Sequence, residues 1–305
     1  MTRASRPAPR KRASPRRASP RSRSPATRRL PRFLRALVLS ATASFGVASY
    51  LLNPSWQPQS LSAALSAWLA WPPAPAAPVV VAPGGALAQT RFDGCPQFFP
   101  GGHAPAVPAA PQLRELCFDE FAVLHSGSTR TPVFVAQRLD RQTLLQARGN
   151  ERTDRFYAEA RLPRRERAEL DDYRRSGYSR GHMAPAADMA TGPGIAQSFS
   201  LANMVPQDQS QNSGPWSRIE QDTRKYVLRS GGDVYVYTGP VYAQGHQAIG
   251  QGVAVPDYLF KLVYDARSGR SWVHWQANHA DARVGAPISY PDFVKQTGLR
   301  LLPAP

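Results

Sequence analysis

An arginine and a histidine two positions apart, Arg180 and His182, stand in the run Tyr178-Ser-Arg-Gly-His-Met-Ala-Pro185. Asn203 follows in Asn203-Met-Val-Pro-Gln207 and Asn212 in Asn212-Ser-Gly-Pro-Trp216, with Glu220 and Arg224 four apart beyond them. These residue types suit the cutting of a phosphodiester with one metal ion. Such a diester is anionic and repels hydroxide, so a catalyst must neutralise charge, deprotonate a water and steady the leaving oxygen. Histidine, with an ordinary pKa of ~6.5, takes that proton near neutral pH. Arginine offers phosphate oxygens a planar, permanently charged fork. Asn212 offers a neutral amide oxygen, and Mg²⁺ accepts such hard ligands while keeping several waters, so few protein ligands suffice.

Local patterning supplies the elements that position these groups. Gly181 lets backbone or substrate approach beside His182. Pro215 suits the first turn of a helix, with Asn212 or Ser213 as its capping residue. The run Trp216–Ser230 has helical periodicity and stops at Gly231, which places Trp216, Glu220 and Arg224 on one stripe. Trp216 itself reads as core. His182 is expected at the end of a short strand or loop, and Ser200–Val205 on the returning strand. Strand, strand and helix would then surround the metal.

In this ordering the stretch resembles the DNA/RNA non-specific endonucleases of the ββα-metal superfamily. Their signature is Asp-Arg-Gly-His, then two asparagines and a Glu/Arg helix, and the similarity spans roughly Phe92 to Leu302. The resemblance implies His182 as general base and Asn212 as metal-binding residue, with Asn203 supporting. It further implies Glu220 holding a metal-bound water, Arg224 near the scissile phosphate, and Arg180 as the motif arginine. Arg152, ahead of Phe156 and Glu159, corresponds weakly to an upstream phosphate-binding arginine. The expected ion is Mg²⁺ or Mn²⁺ and the expected substrates are DNA and RNA. One position departs from the pattern: Ser179 stands where the family has aspartate, so a hydrogen-bonding group replaces a charge.

Around this stretch the chain reads as an α+β domain over residues 92–305, with a mostly antiparallel sheet flanked by helices. Phe118–Leu124 and Pro132–Leu139 read as a hairpin, and Asp233–Thr238, Tyr258–Asp265 and Ser271–Ala277 as strands. Arg164–Tyr173 reads as a charged surface helix, and Ser289–Gln296 as a capped closing helix before Gly298. Cys95 and Cys117 are the only cysteines. If the domain is exported, a disulfide between them is the natural reading, and two buried free thiols are the alternative. His274 and His279 read as core or surface residues rather than metal ligands. Asp188 reads as a turn residue or as a hydrogen-bonding neighbour of the site.

The net charge of +17 is mainly a property of the N-terminus, since residues 1–35 hold 13 Lys/Arg and no acid. Beyond them 25 basic residues face 21 acidic ones, a mild excess suited to a catalyst that must release a polyanion. Residues 1–32 are expected to be a disordered basic tail. Residues 33–52 are expected to be a transmembrane signal-anchor, and 53–91 an Ala/Pro-rich linker. That arrangement anchors the chain in an inner membrane with its catalytic domain in the periplasm or outside the cell; secretion after cleavage is the alternative. The chain shows no base-reading module, which favours low sequence specificity. The opposing functional class is a weakly active nucleic-acid-binding protein in which Ser179 marks lost catalysis and the tail does the binding.

Overall fold

The computed structural model describes residues 86–150 and 154–303. The basic tail, the apolar 33–52 segment, the linker as far as residue 85, and Arg152 lie outside the described residues. Within the described part the chain runs β1 (Leu87–Gln89), β2 (Ala106–Pro108), β3 (Leu113–Cys117), β4 (Ala122–Ser126), β5 (Thr131–Leu139) and helix α1 (Arg141–Gln146). It continues through β6 (Ser179–His182), α2 (Gly192–Ser198), β7 (Met204–Gln207), α3 (Ser217–Val227) and β8 (Val234–Val241). It closes with β9 (Ala248–Ile249), β10 (Val253–Ala254), β11 (Tyr258–Asp265), β12 (Arg270–Ala277) and α4 (Tyr290–Thr297).

Six strands form one antiparallel sheet in the order β12-β11-β8-β5-β4-β3. Its two faces follow from alternation along the strands. Phe134 and Ala136 of β5, with Phe260 and Leu262 of β11, pack on one side with Phe92, Phe99 and Phe293 of α4. Val135 and Leu259, offset by one residue, pack on the other side with Met183, Phe199, Trp216 and Ile219. The segments carrying the catalytic candidates all lie between β5 and β8, the two central strands, and cover this second face. Cys95 and Cys117 form a disulfide, and Cys95 is buried in the core of the first face.

The structure shows the α+β architecture with the mostly antiparallel sheet expected from the sequence. Strands 234–241, 258–265 and 270–277 agree with their patterns. Helix α4 does too, capped by Ser289 and ended by left-handed Gly298, and the β4–β5 hairpin forms with its first strand shifted from Phe118–Leu124 to Ala122–Ser126. Several local readings are corrected. Arg164–Tyr173 is not a helix but two tight turns, Arg164–Glu166 and Leu170–Tyr173. The carboxylates of Glu166 and Asp172 bond inward, to Arg114 and to the Gln251 N–H, instead of facing water. The returning strand is β7, with Leu201–Asn203 coiled into a turn ahead of it. Gly181 makes room for protein rather than substrate, because a Cβ there would overlap the Gln207 side chain on β7. Leu87–Gln89, in the stretch read as linker, pairs with Ala106–Pro108.

A further correction concerns the entry to α3. Asn212 is no capping residue. Asp208 caps the helical run, accepting from the Ser210 and Gln211 N–H groups. The run then widens into a π turn over Asn212–Trp216 before becoming α3. Pro215 explains the widening: it has no N–H to donate and its ring clashes with a carbonyl one turn back in a regular helix. The Ser217 N–H instead donates to the Asn212 carbonyl five residues back. Such turns recur at functional sites because they re-aim side chains.

Candidate active site

β6 and β7 pair antiparallel with Ser179 opposite Gln207 and His182 opposite Met204. The π turn and α3 then pass over the pair. A cavity of about 550 Å³ opens between them and is lined by Ser179, Arg180, His182, Asn212, Glu220 and Arg224. Six of the expected site residues, drawn from β6, the π turn and α3, therefore share one space. Asn203 does not line it. It is fully buried, donates to the carbonyls of Ala184 and Ser198 at 2.9 and 2.8 Å, and accepts from the Ala184 N–H at 2.9 Å. It clamps the backbone just past His182.

Each catalytic candidate is oriented by its surroundings. The His182 ring meets Phe199 edge-on at 5.0 Å and Phe156 at 5.8 Å. These contacts fix its plane while one edge remains in the cavity. The Arg180 guanidinium lies over Phe156 at 4.8 Å and over Tyr173 at 5.7 Å. Aromatic faces restrain it without spending its charge. Arg224 is held by an ion pair, Nη1 to Asp188 Oδ1 at 2.9 Å, with Asp188 nearly buried. The local-turn reading of Asp188 was thus incomplete, since it fixes a site arginine. Trp216 shares the α3 stripe but turns into the core, as its size implies.

Glu220 is the one carboxylate in the cavity lining. Burial pushes its pKa up to about 7; nearby Asp188 adds to the rise, and Lys261 and Arg224 oppose it. Lys261 is a residue that sequence reasoning missed. It points from β11 to the site side of the sheet, is buried, donates to Thr238 Oγ1 at 2.7 Å, and lies 5.4 Å from the Trp216 ring. Burial lowers its pKa and Glu220 counteracts that fall. A lone lysine inside an otherwise apolar strand was the available signal.

The donor set has a definite chemical character. Among the described residues no three His, Cys, Asp or Glu side chains cluster to cage a metal. The Asn212 amide makes no hydrogen bond there and lines the cavity beside Glu220. One amide oxygen and one carboxylate fit a hard divalent ion that keeps most of its waters, not a soft or fully caged one. Neither His274 nor His279 contributes, the latter being an exposed neighbour of Asp281.

Comparison with known proteins agrees with this geometry. The model of the DNA/RNA non-specific endonuclease family matches residues 103–295. Nuclease 1, mitochondrial, of Schizosaccharomyces pombe is 34% identical over 155 residues, covering 46% of this chain and 48% of that protein. Human nuclease EXOG, mitochondrial, is 32% identical over 167 residues, 51% of this chain and 45% of its own length. Human endonuclease G, mitochondrial, is 32% identical over 177 residues, 54% of this chain and 58% of its own. The chain thus spans about half the length of these curated relatives. The fold matches that of a crystal structure of an EndoG/EndoGI complex with a TM-score of 0.58 at 21% identity, over 69% of this chain and 90% of that one.

These comparisons overturn the expected placement in an inner membrane with a periplasmic or external catalytic domain. The relatives named above are mitochondrial nucleases. Among the described residues no helix is long and apolar enough to cross a membrane; the 33–52 segment lies outside them.

Proposed function

The chain belongs to the DNA/RNA non-specific endonuclease family, and on that premise we propose that it hydrolyses internal phosphodiester bonds of DNA and RNA with the help of Mg²⁺ or Mn²⁺. The observation that carries this reading is the convergence of His182, Arg180, Asn212, Glu220 and Arg224 on one cavity.

His182 takes a proton from the attacking water at its imidazole edge, and the nucleophile adds to phosphorus as the bond to the leaving sugar oxygen breaks. Arg180 and Arg224, pre-oriented by aromatic rings and by Asp188, hold non-bridging oxygens as negative charge redistributes. Asn212 would hold the divalent ion, and Glu220, on the same cavity wall, would accept from one of its waters. When bound, the ion withdraws charge from the phosphate and the leaving oxygen. Burial raises the Glu220 pKa, and a cation held beside it would favour its carboxylate form.

The test is a supercoiled-plasmid digest by the purified chain, with and without chelator. Nicked and linear products that vanish on chelation are expected. Cutting unaffected by chelator, or no cutting at any Mg²⁺ or Mn²⁺ concentration, contradicts the reading.

A further inference from the structure

A second cavity, of about 590 Å³, adjoins the first along α3. The two share Ser213 and Ser217 as a common wall. Its far side is the loop carrying Arg283 and Val284, and its floor carries Arg218 and Gln221 of α3. No carboxylate lines it. Arg218 is exposed and makes no ion pair among the described residues. Arg283 donates through Nη1 to the carbonyls of Asp281 and Ala282 in its own loop, which leaves most of its five donors unused. Two guanidiniums thus face a cavity that holds no negative charge.

We propose that this cavity is a subsite for a second backbone phosphate of the strand being cut, gripped by Arg218 and Arg283. The inference rests on the nuclease reading of the first cavity and extends it to substrate length. The helix sets the spacing. Arg218 and Arg224 are six residues apart, so at ~1.5 Å per residue they project about 9 Å apart along the axis. A stacked strand advances ~3.4 Å per nucleotide. Arg218 therefore addresses a phosphate two or three nucleotides from the one at Arg224. Arginine contacts to phosphate position a strand without reading its sequence, in keeping with low specificity. Val284, one of the few large apolar side chains left exposed, adds an apolar surface for sugar or base beside those charges.

The experiment compares the full chain with Arg218→Gln, Arg283→Gln and the double variant. Three quantities are measured: affinity for a long single-stranded oligonucleotide without added metal, cleavage of that strand, and cleavage of bis(p-nitrophenyl) phosphate. The last substrate spans only the first cavity. Each glutamine should raise Kd and KM for the strand about tenfold, with kcat retained. For the double variant the slope of log affinity against log salt should shrink by ~0.7, the share of one phosphate contact on a single strand. Cleavage of the small diester should be unchanged, and Arg283→Lys should keep the salt slope. An unaltered strand affinity, or losses on both substrates in step, overturns the subsite. A parent that binds the strand with this salt dependence but cuts neither substrate sinks the nuclease reading and leaves the subsite standing.

Discussion

Two regions of the molecule turn glutamates inward, Glu166 fully buried and Glu220 half-buried, and they treat them in opposite ways. Glu166 accepts from Arg114 Nε at 3.0 Å and Nη2 at 3.3 Å, with Arg165 at 3.6 Å. The Arg114 hydrogen bonds hold its carboxyl below the ordinary carboxylate range. Glu220 has cations nearby but none of them within ion-pair distance among the described residues, and burial pushes its pKa up to about 7. Neighbouring His125 shows the same economy as Glu166: it is fully buried, its Nε2 lies 2.7 Å from the Glu166 carbonyl, and burial lowers its pKa to about 4. The first region neutralises its charges within the chain and so serves the fold. The second pairs Arg224 with Asp188 but sets the Glu220 carboxyl, the Asn212 amide and Arg180 on a cavity wall with no ion pair among the described residues, the condition of a site waiting for a ligand.

The comparison breaks most visibly in activity. Glu220→Gln should lower plasmid cleavage by about 10–100-fold, the usual cost of losing a group that holds a metal-bound water, while Glu166→Gln should leave it nearly intact. A large loss in both variants, measured as initial rates, removes the functional distinction.

Stability should show the mirror image. The folded pKa of Glu220, about 7, lies above the ordinary glutamate value of 4.5. Its proton-linked stabilisation is therefore complete below pH 4.5 and lost as pH rises through 7. In metal-free buffer Glu220→Gln should melt with the parent near pH 5 and above it near pH 8. Glu166 has the opposite sign: its depressed pKa contributes stability above 4.5 that disappears as pH falls through the folded value. Glu166→Gln should melt below the parent at neutral pH, with the gap closing in acid. Calorimetric melts across that range decide, and parallel curves for both variants refute the comparison.

The Cys95–Cys117 disulfide reinforces the structural region, because the Cys117 carbonyl accepts from Arg161, the partner of Glu159. With a sequence separation of 22 between the cysteines, loop closure contributes ~3 kcal/mol. Reduction should lower the unfolding midpoint and spare the plasmid-cutting rate at temperatures where the protein stays folded. Alkylation of the unreduced, denatured chain should label no thiol.

The smallest effect is expected at Ser179. With one carboxylate in the cavity lining, attraction for a divalent ion is modest. Ser179→Asp should keep activity and reach half-maximal cleavage at a lower Mg²⁺ or Mn²⁺ concentration. A higher metal requirement means that serine belongs to a site of different shape.

Much of this was legible in the sequence, for physical reasons that differ between elements. Strands β8 and β11 were readable because a sheet buried on both faces demands apolar residues at successive positions, and the half-exposed edge strand β12 because of its β-branched and aromatic residues Trp272, Val273 and Trp275. Helix α4 was readable from its cap and its terminal glycine. The site ordering was readable because Arg180, His182, Asn212, Glu220 and Arg224 lie within 45 residues on consecutive elements. The failures share one cause, a distant partner. Charge periodicity made 164–173 look helical, but Arg114 and the Gln251 backbone draw Glu166 and Asp172 inward. Asp188 gains meaning only from Arg224, and Lys261 only from the helix packed above it. The π turn was missed because rules for proline at a helix start take no account of a cap at Asp208 upstream.

The central claim assigns the ion to Asn212 and the proton to His182, and one metal titration separates them. Loss of a ligand weakens metal binding, which mass action partly offsets. Loss of the base leaves the nucleophile unactivated at any metal concentration, at a cost of ~10²–10⁴ in rate. Cleavage by Asn212→Ala should recover as Mg²⁺ or Mn²⁺ is raised into the millimolar range. Cleavage by His182→Ala should stay lost over the same titration while DNA binding and melting temperature are kept. Metal rescue of His182→Ala but not of Asn212→Ala reverses the assignments, and parent-like cutting by both variants means that this cavity is not where the bond is broken.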